Sequence, residues 1–410
     1  MSGLSPAAAF SAAQRRALAA IFAAALLLRL AYAWLRRGDD LPFNSDPYYY
    51  SLIARHLLEG AGFVELKSRA YRPPGLPWFL AGVYALCGVR LAAARAALAL
   101  VGALHCLAQA AWVRRLASPR AGVYAALLTA LYPQFIRYPT ELYAEPLFLC
   151  LQAAALALLL AGVERQSHRL LAAAGIVCGL SALTRELGLL LPAAAGLWWL
   201  AARLGPRRGW LTFTAATALT VLPWTVRNHA VLHTFVPIST NTGINLYIGN
   251  NPQATGDFIW VLAPGVDWDD GGGELAAHRE GARQAVRYAL SHPGRTLALA
   301  LKKAWILWRP PLYGFGGLGP VTLLMRLAWL AAYLALLALT VAGWQALRAA
   351  WPAPLLPLAL MVLATLSHMA AFADTRFRLP LEALLVYSAA VGWESLAPNR
   401  RPVPKPTSPE

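Results

Sequence analysis

The sequence predicts an all-α, polytopic membrane protein, and three observations carry that expectation. Of 410 residues, 58% are hydrophobic and only 13% charged, with a mean hydropathy of +0.49, which is more apolar surface than one water-facing core can hide. The apolar residues fall in repeated runs close to the ~20 residues an α-helix needs to cross a bilayer. The basic residues behind the formal charge of +17 sit as short clusters at the ends of those runs. Gathered in one stripe they would suggest nucleic acid; scattered this way they are topology signals and contacts to membrane lipids.

The first apolar run, Ala17 to Leu35, follows Arg15 and Arg16, which places the N-terminus in the cytoplasm by the positive-inside rule. It is long enough to span and has no small-residue cleavage site behind it, so it is expected to stay as a first helix rather than leave as a signal peptide. The polar stretch from 38 to 74 is then external. Within it, Pro47 to Gly60 alternates Leu52, Ile53, Leu57 and Leu58 with Arg55 and His56, the pattern of a helix lying on the membrane surface. The run from Gly75 to Val89 is too short for a perpendicular span and is read as interfacial or re-entrant. Leu91 to Val113 then runs inward to Arg114, Arg115 and Arg120.

Further spans are expected at 121–136, 146–163, 170–183, 187–200 and 209–224. Arg165, Arg169, Arg203, Arg207 and Arg208 mark the cytoplasmic turns. A long external loop follows; Thr296 to Trp308, interrupted by Lys302 and Lys303, is a surface or half-inserted helix. Spans at 318–347, 355–372 and 379–396 complete one multispan domain over 1–396. Its external loops are 37–90, 139–145 and 225–317, and 397–410 forms a cytoplasmic tail. Of the 19 acidic residues, all except Glu164, Glu394 and Glu410 fall on the external side, although no acid was used to orient the chain. Cys87, Cys106, Cys150 and Cys178 lie in apolar segments without CxxC spacing, and read as small core residues.

Four constellations on that side could carry chemistry. Asp46, before Tyr48 to Tyr50, is a carboxylate at the low-dielectric edge of the bilayer, where a raised pKa would suit it to take a hydroxyl proton. Asp before Pro also starts helices well, so Asp46 could simply cap one. Glu141 and Glu145, four apart, would share a helix face and could hold a divalent cation or sugar hydroxyls. Arg72, Arg185, Arg227, Lys302, Lys303, Arg376 and Arg378 sit at the outer boundary, where guanidinium groups suit a lipid-linked phosphate. Asn241, Asn245, Asn250 and Asn251 lie in a run dense in amides, hydroxyls and glycines, which fits a carbohydrate-contacting loop or a structural one.

The order of these pieces resembles the bacterial family 39 glycosyltransferases, relatives of protein O-mannosyltransferases and of the lipid A aminoarabinose transferase. The pieces are the acid after span one, Arg72-Pro-Pro-Gly-x-Pro, Tyr143-Ala-Glu-Pro-Leu-Phe, Leu183-Thr-Arg, Pro223-Trp-x-x-Arg-Asn, the run from Thr240 to Pro252, and Arg376-Phe-Arg-Leu-Pro. The resemblance covers about residues 15 to 395. It implies the C-type multispan glycosyltransferase fold, with about 10–12 transmembrane helices of bilayer-spanning length. It also implies inverting hexosyl or pentosyl transfer from a polyprenyl-phosphate donor to a lipid, glycan or protein acceptor at the outer face of the bacterial inner membrane. By position Asp46 matches the family's base, Glu145 its second-loop acid, and Arg72 a basic residue near the donor phosphate. Tyr71 stands where the aminoarabinose transferases carry a metal-associated acid. A divalent metal ion, reached by Asp46 and Glu145, is thus left open. The rival readings are a transporter or flippase for a lipid-linked solute, which expects ionisable groups at mid-bilayer depth, and an oligosaccharide ligase of the O-antigen type.

Overall fold

The computed structural model describes residues 8–38, 40–267, 273–310 and 320–397. Among these residues there is no strand, only an isolated bridge between Glu65 and Ser68. The helices are α1 (Ala12–Leu35), α2 (Asp46–Leu58), α3 (Gly75–Cys87), α4 (Leu91–Leu116), α5 (Pro119–Leu131), α6 (Pro133–Arg137), α7 (Glu145–Glu164), α8 (His168–Thr184), α9 (Leu190–Ala201), α10 (Arg208–Leu232), α11 (Asn241–Gly249), α12 (Gly273–Ser291), α13 (Pro293–Trp308), α14 (Pro320–Ala342), α15 (Trp344–Ala349), α16 (Leu355–Ala370) and α17 (Leu379–Leu396). The chain is a polytopic helical membrane protein. Helices α1, α4, α7 and residues 323–342 of α14 are long and apolar enough to cross a bilayer, and α3, α8, the 186–201 segment and α16 are shorter apolar helices. Leu27, Leu28 and Trp34 on α1 and Leu323, Leu324 and Leu327 on α14 are exposed, as side chains facing lipid are.

Helix α4 is central, packing on α1, α5 and α7, while α7, α8 and α10 continue the layer and α14, α17 and α5 close the other side. The largest core joins Trp112 of α4, Phe148 of α7, Trp198 of α9, Phe213 of α10 and Tyr387 of α17. A second core, with Ile248, Ile306, Leu307, Phe372, Phe377 and Leu381, seats α11 and α13 under the residue 371–378 connection.

Three expectations need correction. The run at 121–136 is not one helix: α5 stops and α6 restarts because Pro133 forces Tyr132 into extended backbone (φ −68°, ψ 121°). The Thr129 and Ala130 carbonyls at the end of α5 accept from the fully buried Arg29 at 3.2 and 3.4 Å, and Arg29 also donates to Phe135 O of α6 and to Ala25 O of its own helix, both at 3.0 Å. Second, α10 continues two turns into the stretch read as loop from 225. Trp224 donates to Ile238 O at 2.7 Å, Thr225 to Pro237 O at 2.8 Å, and Asn228 to Val236 O and Ile238 O, both at 3.1 Å. The returning segment is thereby stitched to those turns. Third, Cys87 is exposed, unlike the buried Cys106 and Cys178. The expected span from 318 begins outside the described residues, and so does nearly all of the expected tail.

Candidate active site

A cavity of ≈ 990 Å³ opens among α2, the 65–73 loop, the 137–143 turn, the start of the 184–190 segment, α11 and the 367–377 connection. Its charged wall is a chain of alternating acids and arginines. Glu65 Oε2 lies 2.9 Å from Arg72 Nε, and Arg72 Nη1 donates to Asp46 Oδ1. Asp46 Oδ2 accepts from Arg376 Nη1 at 2.8 Å. Arg376 Nε in turn lies 3.2 Å from Glu145 Oε1, which also accepts from Arg185 Nη1. Three carboxylates and three guanidiniums thus form one ladder with formal charges that cancel.

Local sequence explains how each rung is held. Ser45, not Asp46, caps α2: its hydroxyl accepts from the Tyr48 N–H, and Pro47 fits the first turn. Asp46 is therefore spared from capping and points to the arginines from the positive end of the helix. Arg72 is further enclosed by the rings of Tyr49, Tyr50 and Tyr71, at 5.1, 5.4 and 5.3 Å from their centroids. Asp374 accepts from the Arg376 N–H at 2.7 Å, fixing the turn that presents Arg376 over Tyr143 at 4.7 Å. Glu274, at the start of α12, accepts from the Arg69 and Ala70 N–H groups at 2.7 and 2.8 Å and from Thr240 Oγ1 at 2.7 Å. It anchors the approach to Arg72 and the approach to α11 together.

Burial opposes the ionisation of Asp46, but the charges and hydrogen bonds of Arg72 and Arg376 outweigh it and hold the carboxyl well below the usual range. For Glu65 burial wins over its one arginine partner, and its carboxyl is pushed up to about 7. Asp46 keeps 29% of its side chain exposed, whereas Glu145 keeps 1%; an incoming group can reach Asp46, while Glu145 is positioned to hold arginines. Arg72 Nε and Arg376 Nε are buried without an aligned hydrogen-bond acceptor.

Of the residues singled out in the sequence, the cavity gathers Asp46, Arg72, Arg185, Arg376, Glu141, Asn241 and Asn245 along its wall. Glu145 stands directly behind them. Glu141 and Glu145 do not share a helix face, because Leu142 turns left-handed between them (φ 55°); Glu141 pairs with Arg137 at 2.7 Å instead. The others lie elsewhere. Arg227 donates to Arg69 O at 2.6 Å and Phe63 O at 3.3 Å. Arg378 is fully buried on Glu382 and Arg309 O. Lys303, also fully buried, donates to Asn250 Oδ1 at 3.1 Å and Met369 O at 3.2 Å. Asn250 and Asn251 spend their amides on the backbone carbonyls of Leu246, Ala370, Tyr247 and Ile248. Sequence reasoning passed over Glu65 and Glu186, because nothing local separates them from ordinary loop acids such as Glu59.

Residues 71–226 match the family model described as dolichyl-phosphate-mannose-protein mannosyltransferase. Among solved structures, the oligosaccharyltransferase of Archaeoglobus fulgidus with Zn and sulfate is 17% identical, with a TM-score of 0.57 over 91% of this chain and 48% of that one. The archaeal oligosaccharyltransferase AglB from the same organism, with an inhibitory peptide and a dolichol-phosphate, gives 16% and 0.56 over 94% and 51%. ArnT from Cupriavidus metallidurans bound to undecaprenyl phosphate gives 16% and 0.52 over 93% and 60%. This chain has the C-type glycosyltransferase fold. It spans about half the length of the oligosaccharyltransferases and three-fifths of ArnT. No curated protein matches it by sequence. In this C-type glycosyltransferase fold the matched stretch runs from the Tyr71-Arg72 rung through Glu145 and Arg185 to Val226 within α10.

Proposed function

We propose that the protein transfers a sugar from a polyprenyl-phosphate donor to a hydroxyl, amine or phosphate of a lipid, glycan or protein. Transfer takes place at the outer face of the bacterial cytoplasmic membrane, with both termini cytoplasmic. The observation that carries this reading is the ladder itself: Arg72 and Arg376 share the carboxylate of Asp46 at the wall of a large cavity, where an incoming phosphate can take over the guanidinium N–H groups that Asp46 holds. A phosphate offers those guanidiniums oxygens at the right spacing for paired hydrogen bonds. As it takes them, Asp46 loses the partners that depress its pKa and becomes a competent base. The acceptor then loses its proton to Asp46 as its heteroatom bonds to the anomeric carbon. The bond from that carbon to the lipid phosphate breaks on the opposite face, which inverts the configuration. The departing phosphate carries its charge away on Arg72 and Arg376.

Asp46 and Glu145 do not fit a shared metal ion, since Arg376 stands between them and is bound to both. Among the described residues no group of three or more His, Cys, Asp or Glu is placed to hold one, and no step runs through a metal. Of the ionisable groups well inside spans, Arg29 serves backbone carbonyls and His105 packs on the Phe135 ring at 5.4 Å; neither offers the path a transporter needs.

The test is release of lipid phosphate from a panel of polyprenyl-phosphate and polyprenyl-pyrophosphate sugars by purified protein. Asp46→Asn is expected to lower the rate by about a hundredfold or more while the variant still binds the donor lipid. Retained turnover would remove Asp46 from the chemistry, and turnover of pyrophosphate donors alone would point to an oligosaccharide ligase.

A further inference from the structure

Asn241 and Asn245 both line the cavity from α11. Four apart, they present one face of the helix. Both are part-exposed, and neither amide has a hydrogen-bond partner among the described residues, in contrast to Asn250 and Asn251. Glu186 brings a carboxylate to the same wall: it accepts from Ser239 Oγ on one oxygen and from Thr242 Oγ1 at 3.0 Å on the other. An ionised carboxylate offers about four lone-pair sites; the Ser239 backbone N–H takes a third, which leaves room for one more donor.

A run of aromatic rings lines the cavity as well. Phe258 lies 5.4 Å from Phe372, and Phe372 lies 5.3 Å from Phe377. Two free amides, a carboxylate with spare capacity and ring faces together suit a molecule whose hydroxyls both donate and accept and whose C–H faces are apolar. The array adjoins the ladder. Glu186 follows Arg185, and the Phe377 ring carries the Arg185 and Arg376 guanidiniums at 5.2 and 5.4 Å from its centroid.

We propose that Glu186, Asn241 and Asn245 form the subsite for the hydroxyls of the donor's sugar ring, and that they favour an uncharged sugar over a carboxylated one. This rests on the ladder being the donor-phosphate site, since the sugar's anomeric carbon is bonded directly to that phosphate. The carboxylate of Glu186 accepts hydrogen bonds from hydroxyls and repels a second carboxylate, and the amides bridge neighbouring hydroxyls.

The experiment measures binding of two lipids to the full chain in nanodiscs: a bare polyprenyl phosphate and the same lipid phosphate carrying an uncharged hexose. The Asn241→Ala/Asn245→Ala double variant and Glu186→Gln are each expected to weaken the hexosyl lipid by about tenfold and to leave the bare lipid within about twofold. Binding of the bare lipid also serves as the control for folding. Unchanged binding of the hexosyl lipid, or equal weakening of both lipids, overturns the proposal. So does a raised KM for a hydroxylated acceptor with donor binding unchanged, which would assign the array to the acceptor. Failure of the wild-type protein to bind even the bare lipid would instead bring down the lipid-phosphate reading beneath it.

Discussion

Asp46 and Glu65 flank the same arginine and have opposite acid strengths. Arg72 touches both, but Asp46 has a second guanidinium from Arg376 whereas Glu65 has none. Ionised Glu65 brings the ladder to zero net charge, and neutral Glu65 leaves it at one positive charge. A polyprenyl-phosphate sugar is a phosphodiester with a constant single negative charge in this range, so its affinity should rise as pH falls through about 7, the value to which burial pushes Glu65. The expected gain is on the order of tenfold between about pH 8 and pH 6. Glu65→Gln should hold the tighter affinity across that range, with the pH dependence gone. A pH dependence that persists in Glu65→Gln would remove Glu65 as its source. Tyr50, pushed up to about 12 by burial, stays neutral throughout. At this scale Asp46, Arg72 and Arg376 were legible in the sequence because each sits where an apolar chain meets polar loop. Glu65 was not, because its partner is set by the turn from Glu65 to Ser68, closed by two backbone hydrogen bonds of 2.8 Å, and not by spacing.

Helix contacts follow a similar division. The break at Pro133 was open to prediction from proline chemistry, whereas the extra turns of α10 depend on side chains that reach back from a segment several residues later. The approach of α14 to α17 depends on backbone meeting backbone. A Cβ on Gly392 would fall 1.7 Å from the Leu339 carbonyl oxygen, and one on Gly343 would fall 2.7 Å from Gly392 N. Without side chains here the helices come close enough for dispersion contact along their length, which drives helix association in a bilayer. Gly392→Ala must therefore push α14 away from α17, at a cost on the order of 1–3 kcal/mol, read as a lower thermal midpoint in detergent. Gly82→Ala is the matched control, since nothing lies within 4 Å of its would-be Cβ, and its midpoint should stay level or rise slightly through helix propensity. Equal midpoints for the two variants would mean that the α14 and α17 contact carries little of the stability.

For the whole molecule, the question is which side of the membrane the cavity faces. The distribution of Arg and Lys alone predicts α2 outside and the turn after α7 inside. The two ends differ chemically. Asp46, Glu65, Glu141, Glu145 and Glu186 converge on one cavity, whereas Arg165 and Arg169 mark the turn between α7 and α8. A lipid-phosphate donor presented at the outer leaflet needs the acid and arginine ladder at that leaflet. Native Cys87 is exposed, so the reporter background is Cys87→Ser; Cys106 and Cys178 are buried and Cys150 is half-buried. In that background Glu59→Cys, at the exposed end of α2, should react with an impermeant maleimide on intact cells. Arg165→Cys, exposed in the turn after α7, should react only after lysis. The reverse pattern would turn the cavity to the cytoplasm, where the ladder could still bind a phosphate but the charge rule that oriented every span would have failed together with the outer-face chemistry built on it.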